Sequence, residues 1–148
     1  MADNNFLSDD LAILAEFVDE SESDLQKIGN LFIELEQRPK DVELVNTLFR
    51  PIHSIKGNSA FLGLMSLRKL AHEMESVLDG IRKQRLEGSR EMVNDLLAGV
   101  DEIKAMLGRI RKGEKEVADA ELVNRLIKVF AEYHGSAAPA AEQTATPA

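Results

Sequence analysis

The sequence predicts an all-α protein, an antiparallel four-helix bundle with an additional fifth helix at its C-terminal side. Three observations lead there. Leu, Ala, Glu, Lys and Arg are abundant, Pro occurs only 4 times, and there is no Trp, a composition that favours helical backbone. Apolar residues recur at three- and four-residue steps through five successive stretches, with no period-two alternation to suggest strands. The 148 residues give room for one core plus a short appendage, and short connections between long amphipathic helices make antiparallel neighbours.

The first helix, over residues 8–37, carries Leu11, Leu14, Phe17, Val18, Leu25, Ile28, Phe32 and Leu35, with a gap at Ser21-Glu22. Ser8 is its candidate N-cap, and Asp9 and Asp10 suit the positive end of the helix dipole. Pro39 stops it. The second helix, 41–62, has the stripe Val45, Leu48, Phe49, Ile52, Ile55 and Leu62. Pro51 falls inside it, where a missing N–H and a bulky ring should kink the helix or loosen the preceding turn. Gly63 is a terminator.

Ser66 is the candidate cap of a third helix, 66–86, with Leu67, Leu70, Ala71, Met74, Val77, Leu78 and Ile81. Gly88-Ser89 separates it from the fourth, 90–111, which holds Met92, Val93, Leu96, Leu97, Val100, Ile103, Met106, Leu107 and Ile110. A charged turn from Arg111 to Glu116 leads to a shorter fifth helix, 119–134, with Leu122, Leu126, Ile127 and Phe130. Residues 1–135 form the domain. Residues 136–148 are Ala/Pro-rich with nothing to bury, the composition of a linker or disordered tail.

Composition also excludes several classes of function. With no Cys there are no disulfides, thiolate metal sites or cysteine nucleophiles. The polar, acidic N-terminus lacks the pattern of a signal peptide, and the apolar runs are too short to insert in a membrane; the expected location is the cytoplasm. A net charge of −8 argues against nucleic acid as a partner. Residues 1–48 hold 12 acidic and 3 basic side chains against 14 and 15 in residues 49–148. That asymmetry makes a solvated acidic face on the first helix, and leaves a near-neutral remainder that tolerates an anionic group.

The chemistry centres on His53, in Arg50-Pro51-Ile52-His53-Ser54-Ile55-Lys56-Gly57-Asn58. On a helix Lys56 and Gly57 both neighbour the imidazole. Helical side chains lean toward the N-terminus, so residue 57 would normally cover the ring of residue 53, and Gly57 removes that cover. Gly costs about 1 kcal/mol against Ala inside a helix, a loss that makes sense where another molecule must approach closely. Phosphoryl transfer needs a nucleophile free to move in line and positive charge near the equatorial oxygens. A neutral imidazole supplies the first near pH 7, and Lys56, with help from Arg50, the second. The other ring nitrogen needs an acceptor. Glu75, three residues after His72 on the third helix, can reach it if the second and third helices are antiparallel neighbours. His134 lacks such company and reads as surface.

Phe49-Arg50, His53-Ser54-Ile55-Lys56-Gly57 and Phe61-Leu62-Gly63 resemble the phosphorylation segment of the histidine phosphotransfer (HPt) domains of CheA-type chemotaxis kinases, and His72 to Asp79 resembles the next helix of that family. The similarity in pattern runs over roughly residues 6–133. The resemblance implies an HPt-like bundle in which His53 accepts a phosphoryl group from ATP through a separate kinase catalytic domain. It implies Lys56 beside the phosphate, Glu75 bonded to the non-reacting ring nitrogen, His72 as an auxiliary neighbour and Gly57 as the opening for a partner. The phosphoryl group would pass to an Asp of a response regulator of the CheY or CheB type. Two positions depart from the family pattern: Pro51 stands where small residues are common, and Asn58 where a second Gly commonly follows.

No P-loop or glycine-rich kinase signature is present, so the domain is a carrier and substrate, with no cofactor or metal of its own. Alternatives are a relay module between receiver domains, a scaffold bundle in which His53 is incidental, and a dimetal bundle enzyme. The last needs two Glu-x-x-His pairs, whereas His72-x-x-Glu75 occurs once and in the reverse order.

Overall fold

The computed structural model describes the backbone of residues 2–117 and 120–145, and the side chains of residues 11–117 and 120–133. Five helices follow in order: α1 Ala2–Gln37, α2 Val42–Phe61, α3 Met65–Arg82, α4 Arg90–Arg111 and α5 Ala120–Ala145. No strand occurs among the described residues, as the periodicity predicts. None of the helices is long and apolar enough over its described residues to cross a membrane.

Each of the first four helices packs on its chain neighbour or closes the ring: α1 against α2 and α4, α2 against α3, α3 against α4. The fifth lies along the side of the bundle, mainly on α3 and more lightly on α4. The core is one continuous cluster in which Leu25, Phe32, Leu35, Leu48, Ile52, Leu70, Met74, Leu96, Ile103 and Phe130 are fully buried. Burying each such side chain contributes about 1.5–3 kcal/mol, so the predicted stripes hold the helices in place. Ser21, in the gap of the α1 stripe, is itself buried: the helix keeps its register there with a small polar residue.

The elements differ from the sequence reading mainly at their ends. Helical backbone begins at Ala2, ahead of the Ser8 cap; the side chains of Ser8, Asp9 and Asp10 lie outside the described residues, as does that of His134. Leu11, the first member of the α1 stripe, is exposed, at the rim of a cleft it shares with Leu14, Leu64 and Val117. Helix α5 continues to Ala145 through the segment whose composition suggests a linker, because an Ala-rich stretch also has high helix propensity. Helix α2 starts where expected, with the Asp41 carboxylate accepting from the Leu44 N–H at 3.1 Å, and it runs unbroken through Pro51. It ends in a Schellman turn: Leu64 N–H bonds to Ser59 C=O and Gly63 N–H to Ala60 C=O, with Gly63 at φ +77°, a conformation glycine adopts without steric cost.

Helix α3 stops at Arg82 instead of residue 86. Gln84 turns to φ 61°, and the N–H groups of Arg85 and Leu86 fold back onto Gly80 C=O at 2.8 and 3.1 Å. At its other end Ser66 is not the cap; α3 begins at Met65 with no side-chain cap from its own segment. The carboxylate of Glu116, from the α4–α5 connection, instead accepts from Ser66 N–H at 3.1 Å and Leu67 N–H at 2.8 Å. A negative charge there also complements the helix dipole. Arg109 holds that connection, donating to Glu116 C=O at 3.2 Å and to the buried Glu102 at 2.8 Å.

Replacing Glu116 by Ala should therefore destabilise the bundle by about 0.5–2 kcal/mol, the usual loss for a helix cap. Chemical denaturation checks this, and an unchanged unfolding midpoint would show that the cap contributes nothing.

Candidate phosphoacceptor site

The site sits on the α2–α3 contact, where Ile52 and Ile55 of α2 and Leu70, Ala71 and Met74 of α3 belong to one buried cluster that fixes the spacing of two helix flanks. His53 lies one residue beyond the buried Ile52 and turns outward, its side chain 59% exposed. Glu75 lies one residue beyond the buried Met74, and only 11% of its side chain is exposed. The flanks face each other, so a buried carboxylate meets an accessible imidazole. This is the meeting that sequence spacing anticipates.

The carboxylate is used at both oxygens. Glu75 Oε2 is hydrogen-bonded to His53 Nδ1, and Oε1 accepts from Lys56 Nζ at 2.7 Å. Burial pushes the Glu75 carboxyl pKa up, but the hydrogen bonds from Lys56 and His53 and the charges of both outweigh it and hold the group below its ordinary value. Glu75 is therefore an anion at neutral pH and can only accept. The proton of the shared bond belongs to Nδ1, which in an uncharged ring leaves the Nε2 lone pair free. Two residues of one helix and one of the next thus fix tautomer and charge together.

Lys56 occupies a different place from the one expected of a phosphate ligand alone: its ammonium is bonded to Glu75, with the side chain 23% exposed. One of its three N–H donors is spent there. Gly57 is exposed, and a Cβ built on it would meet nothing within 4 Å, so the surface at Gly57 is open. His72 is exposed on α3 and takes no part in the hydrogen bonds joining Glu75, His53 and Lys56. At about 100° per residue, Ala71, Met74 and Leu78 lie to one side of Glu75 and His72 lies to the other, rotated outward. Arg50 is directed to a groove shared with Asp24, Lys27 and Ser54, on the α1 side of α2.

Phe49 departs from its place in the predicted core stripe. It is half-buried, and its ring stacks on His53 with centroids 5.6 Å apart and planes inclined by 14°. The i,i+4 spacing of the two rings on α2 was a signal for this contact.

Comparison with known proteins identifies the family. Residues 12–113 match the Hpt domain family. The chain is 34% identical over 131 residues to chemotaxis protein CheA of Bacillus subtilis, covering 86% of this chain and 20% of that protein. It is 36% identical over 104 residues to the sensor histidine kinase CheAY of Helicobacter pylori, covering 70% and 13% respectively. It thus spans a fifth or less of the length of these curated relatives. Among solved structures, the CheA phosphotransferase domain from Thermotoga maritima aligns with a TM-score of 0.64 at 36% identity, over 68% of this chain and 95% of that one. A histidine phosphotransfer domain of CheA, solved in solution, aligns with a TM-score of 0.72 at 31% identity, over 80% and 89%.

The depressed Glu75 pKa carries a pH dependence. A carboxyl whose folded pKa lies below its unfolded one stabilises the fold fully above the ordinary value of 4.5 and loses that contribution as pH falls through the folded pKa. Glu75→Gln should cost about 1.5–3 kcal/mol near neutral pH, the range for hydrogen bonds to charged groups. Denaturation at a series of pH values should find this difference shrinking below 4.5. A difference independent of pH would mean that the carboxylate charge is not what binds His53 and Lys56.

Proposed function

Because the chain belongs to the Hpt domain family, we propose that its site works by carrying a phosphoryl group on Nε2 of His53, within CheA-type chemotaxis signalling. The single observation that supports this most is the pairing of an exposed imidazole with a buried carboxylate at Nδ1. A histidine whose Nδ1–H is engaged offers Nε2 as the nucleophile.

In the forward step the Nε2 lone pair attacks the γ-phosphorus of ATP held by a separate kinase catalytic domain. The N–P bond forms, the bond from phosphorus to the bridging oxygen breaks, and ADP leaves with the electron pair. Attack leaves positive charge on the ring, with the proton on Nδ1, and the Glu75 carboxylate beside it compensates that charge. Lys56 can keep its bond to Glu75 and offer its remaining donors to a phosphate oxygen. Gly57 leaves room for the partner's own groups to approach the phosphorus in line. In the return step a receiver-domain Asp of the CheY or CheB type attacks phosphorus and the imidazole is the leaving group. The domain brings no cofactor to either step. His72 is at most an auxiliary neighbour, and the reactions belong to the cytoplasm, where ATP and the receiver proteins reside.

The likeness to CheA proteins favours a kinase-fed carrier over a relay between receiver domains. The test is incubation of the chain with a CheA-type catalytic domain and labelled ATP. Acid-labile phosphate should map to His53, and His53→Gln should take up none while remaining folded. Gly57→Leu should slow labelling about tenfold or more by obstructing approach. Label retained by the His53→Gln variant would overturn the proposal.

A further inference from the structure

Glu75 constrains His53 at one atom. Phe49 constrains it as a plane, and the ring that does so is itself held. The guanidinium of Arg82, from α3, lies over the Phe49 ring with its central carbon 4.5 Å from the centroid. Arg82 is anchored twice: it pairs with Asp79 one turn earlier on α3, and it donates to Asn46 Oδ1 on α2 at 3.2 Å. Asp79 also takes Lys83 at 3.0 Å. Burial raises the Asp79 pKa, but these two cations more than offset that and keep it an anion. Asn46, Asp79 and Arg82 thus form a clamp bridging the same two helices that carry His53 and Glu75.

A single hydrogen bond at Nδ1 tolerates a spread of ring angles, because the terminal torsion of histidine is broad. A parallel aromatic neighbour removes that freedom. Stacking favours one ring orientation over its alternatives, and a cation on the phenyl ring helps to keep it in place. We propose that Phe49 is a positioning residue for phosphoryl transfer, setting the plane of the His53 ring and hence the direction of Nε2, and that Arg82 holds Phe49 there. The inference rests on the reading of His53 as the phosphoacceptor.

The test uses the full chain and phosphoramidate, a small donor that needs no docking surface. Its P–N bond breaks as the Nε2–P bond forms, and ammonia leaves with the electron pair. Wild-type protein should be labelled at His53. Phe49→Leu, which keeps an apolar side chain but removes the ring, should react about three- to tenfold more slowly at temperatures where it is fully folded. It should also lose the ring-current shift of the His53 ring protons in NMR spectra. Phe49→Tyr should restore both rate and shift, which a purely structural role for the site would not require. Arg82→Met should lose part of the ring-current shift with the fold intact. A folded Phe49→Leu variant reacting at the wild-type rate would overturn the inference, and unchanged ring shifts in Arg82→Met would remove Arg82 from it. Failure of the wild-type chain to be labelled at His53 would instead count against the carrier reading.

Discussion

One buried carboxylate organises the functional surface of this bundle. Glu75 reaches from α3 to α2 and binds His53 with one oxygen and Lys56 with the other. An uncompensated carboxylate in that position would be costly; with two partners it is held ionised. The arrangement has consequences in both directions. Downward, it ties the two helices whose contact is the most extensive among the described residues. Outward, it leaves an imidazole fixed at Nδ1 and open at Nε2. Stability and reactivity draw on the same pair of bonds, so the site is part of the α2–α3 interface and not an addition to it.

The surrounding structure reads as support for that geometry. The apolar seam below it sets the distance between the helices. Gly63 ends α2 in a left-handed turn, and Glu116 caps α3 from a segment some fifty residues away, so both helices of the site begin and end at defined places. Phe49 and its Arg82 clamp flank the imidazole on one side, while Gly57 leaves another side open. The proposed carrier role gains from this division: one side of the ring is held by the protein, and the rest is available.

Much of this was legible in the sequence, for a physical reason. Helical periodicity is local, so three- and four-residue steps identify the stripes, place Lys56 and Gly57 beside His53, and put Glu75 at the flank of the facing helix. What was not legible depends on contacts distant in the chain. Ser66 has the right residue type for a cap, yet the cap is Glu116, whose position is set by how the α4–α5 connection folds over the end of α3. Phe49 fits the apolar stripe, yet its ring lies at the stripe's edge, where an i,i+4 partner and a cation from α3 can reach it. His72 shares a helix face with Glu75 only loosely, and a small rotation separates a residue at the interface from one in solvent. The C-terminal reach of α5 was missed because Ala-rich sequence is compatible with both a linker and a helix.

The proposed reactivity of His53 depends on which ring nitrogen carries the proton. Nitrogen-15 NMR of the neutral imidazole measures this directly. A protonated Nδ1 and an unprotonated Nε2, converting to a mixture of tautomers in Glu75→Gln, is the predicted result. A dominant Nε2–H tautomer in the wild-type protein would contradict it, because the nitrogen left open to partners would then hold no free lone pair.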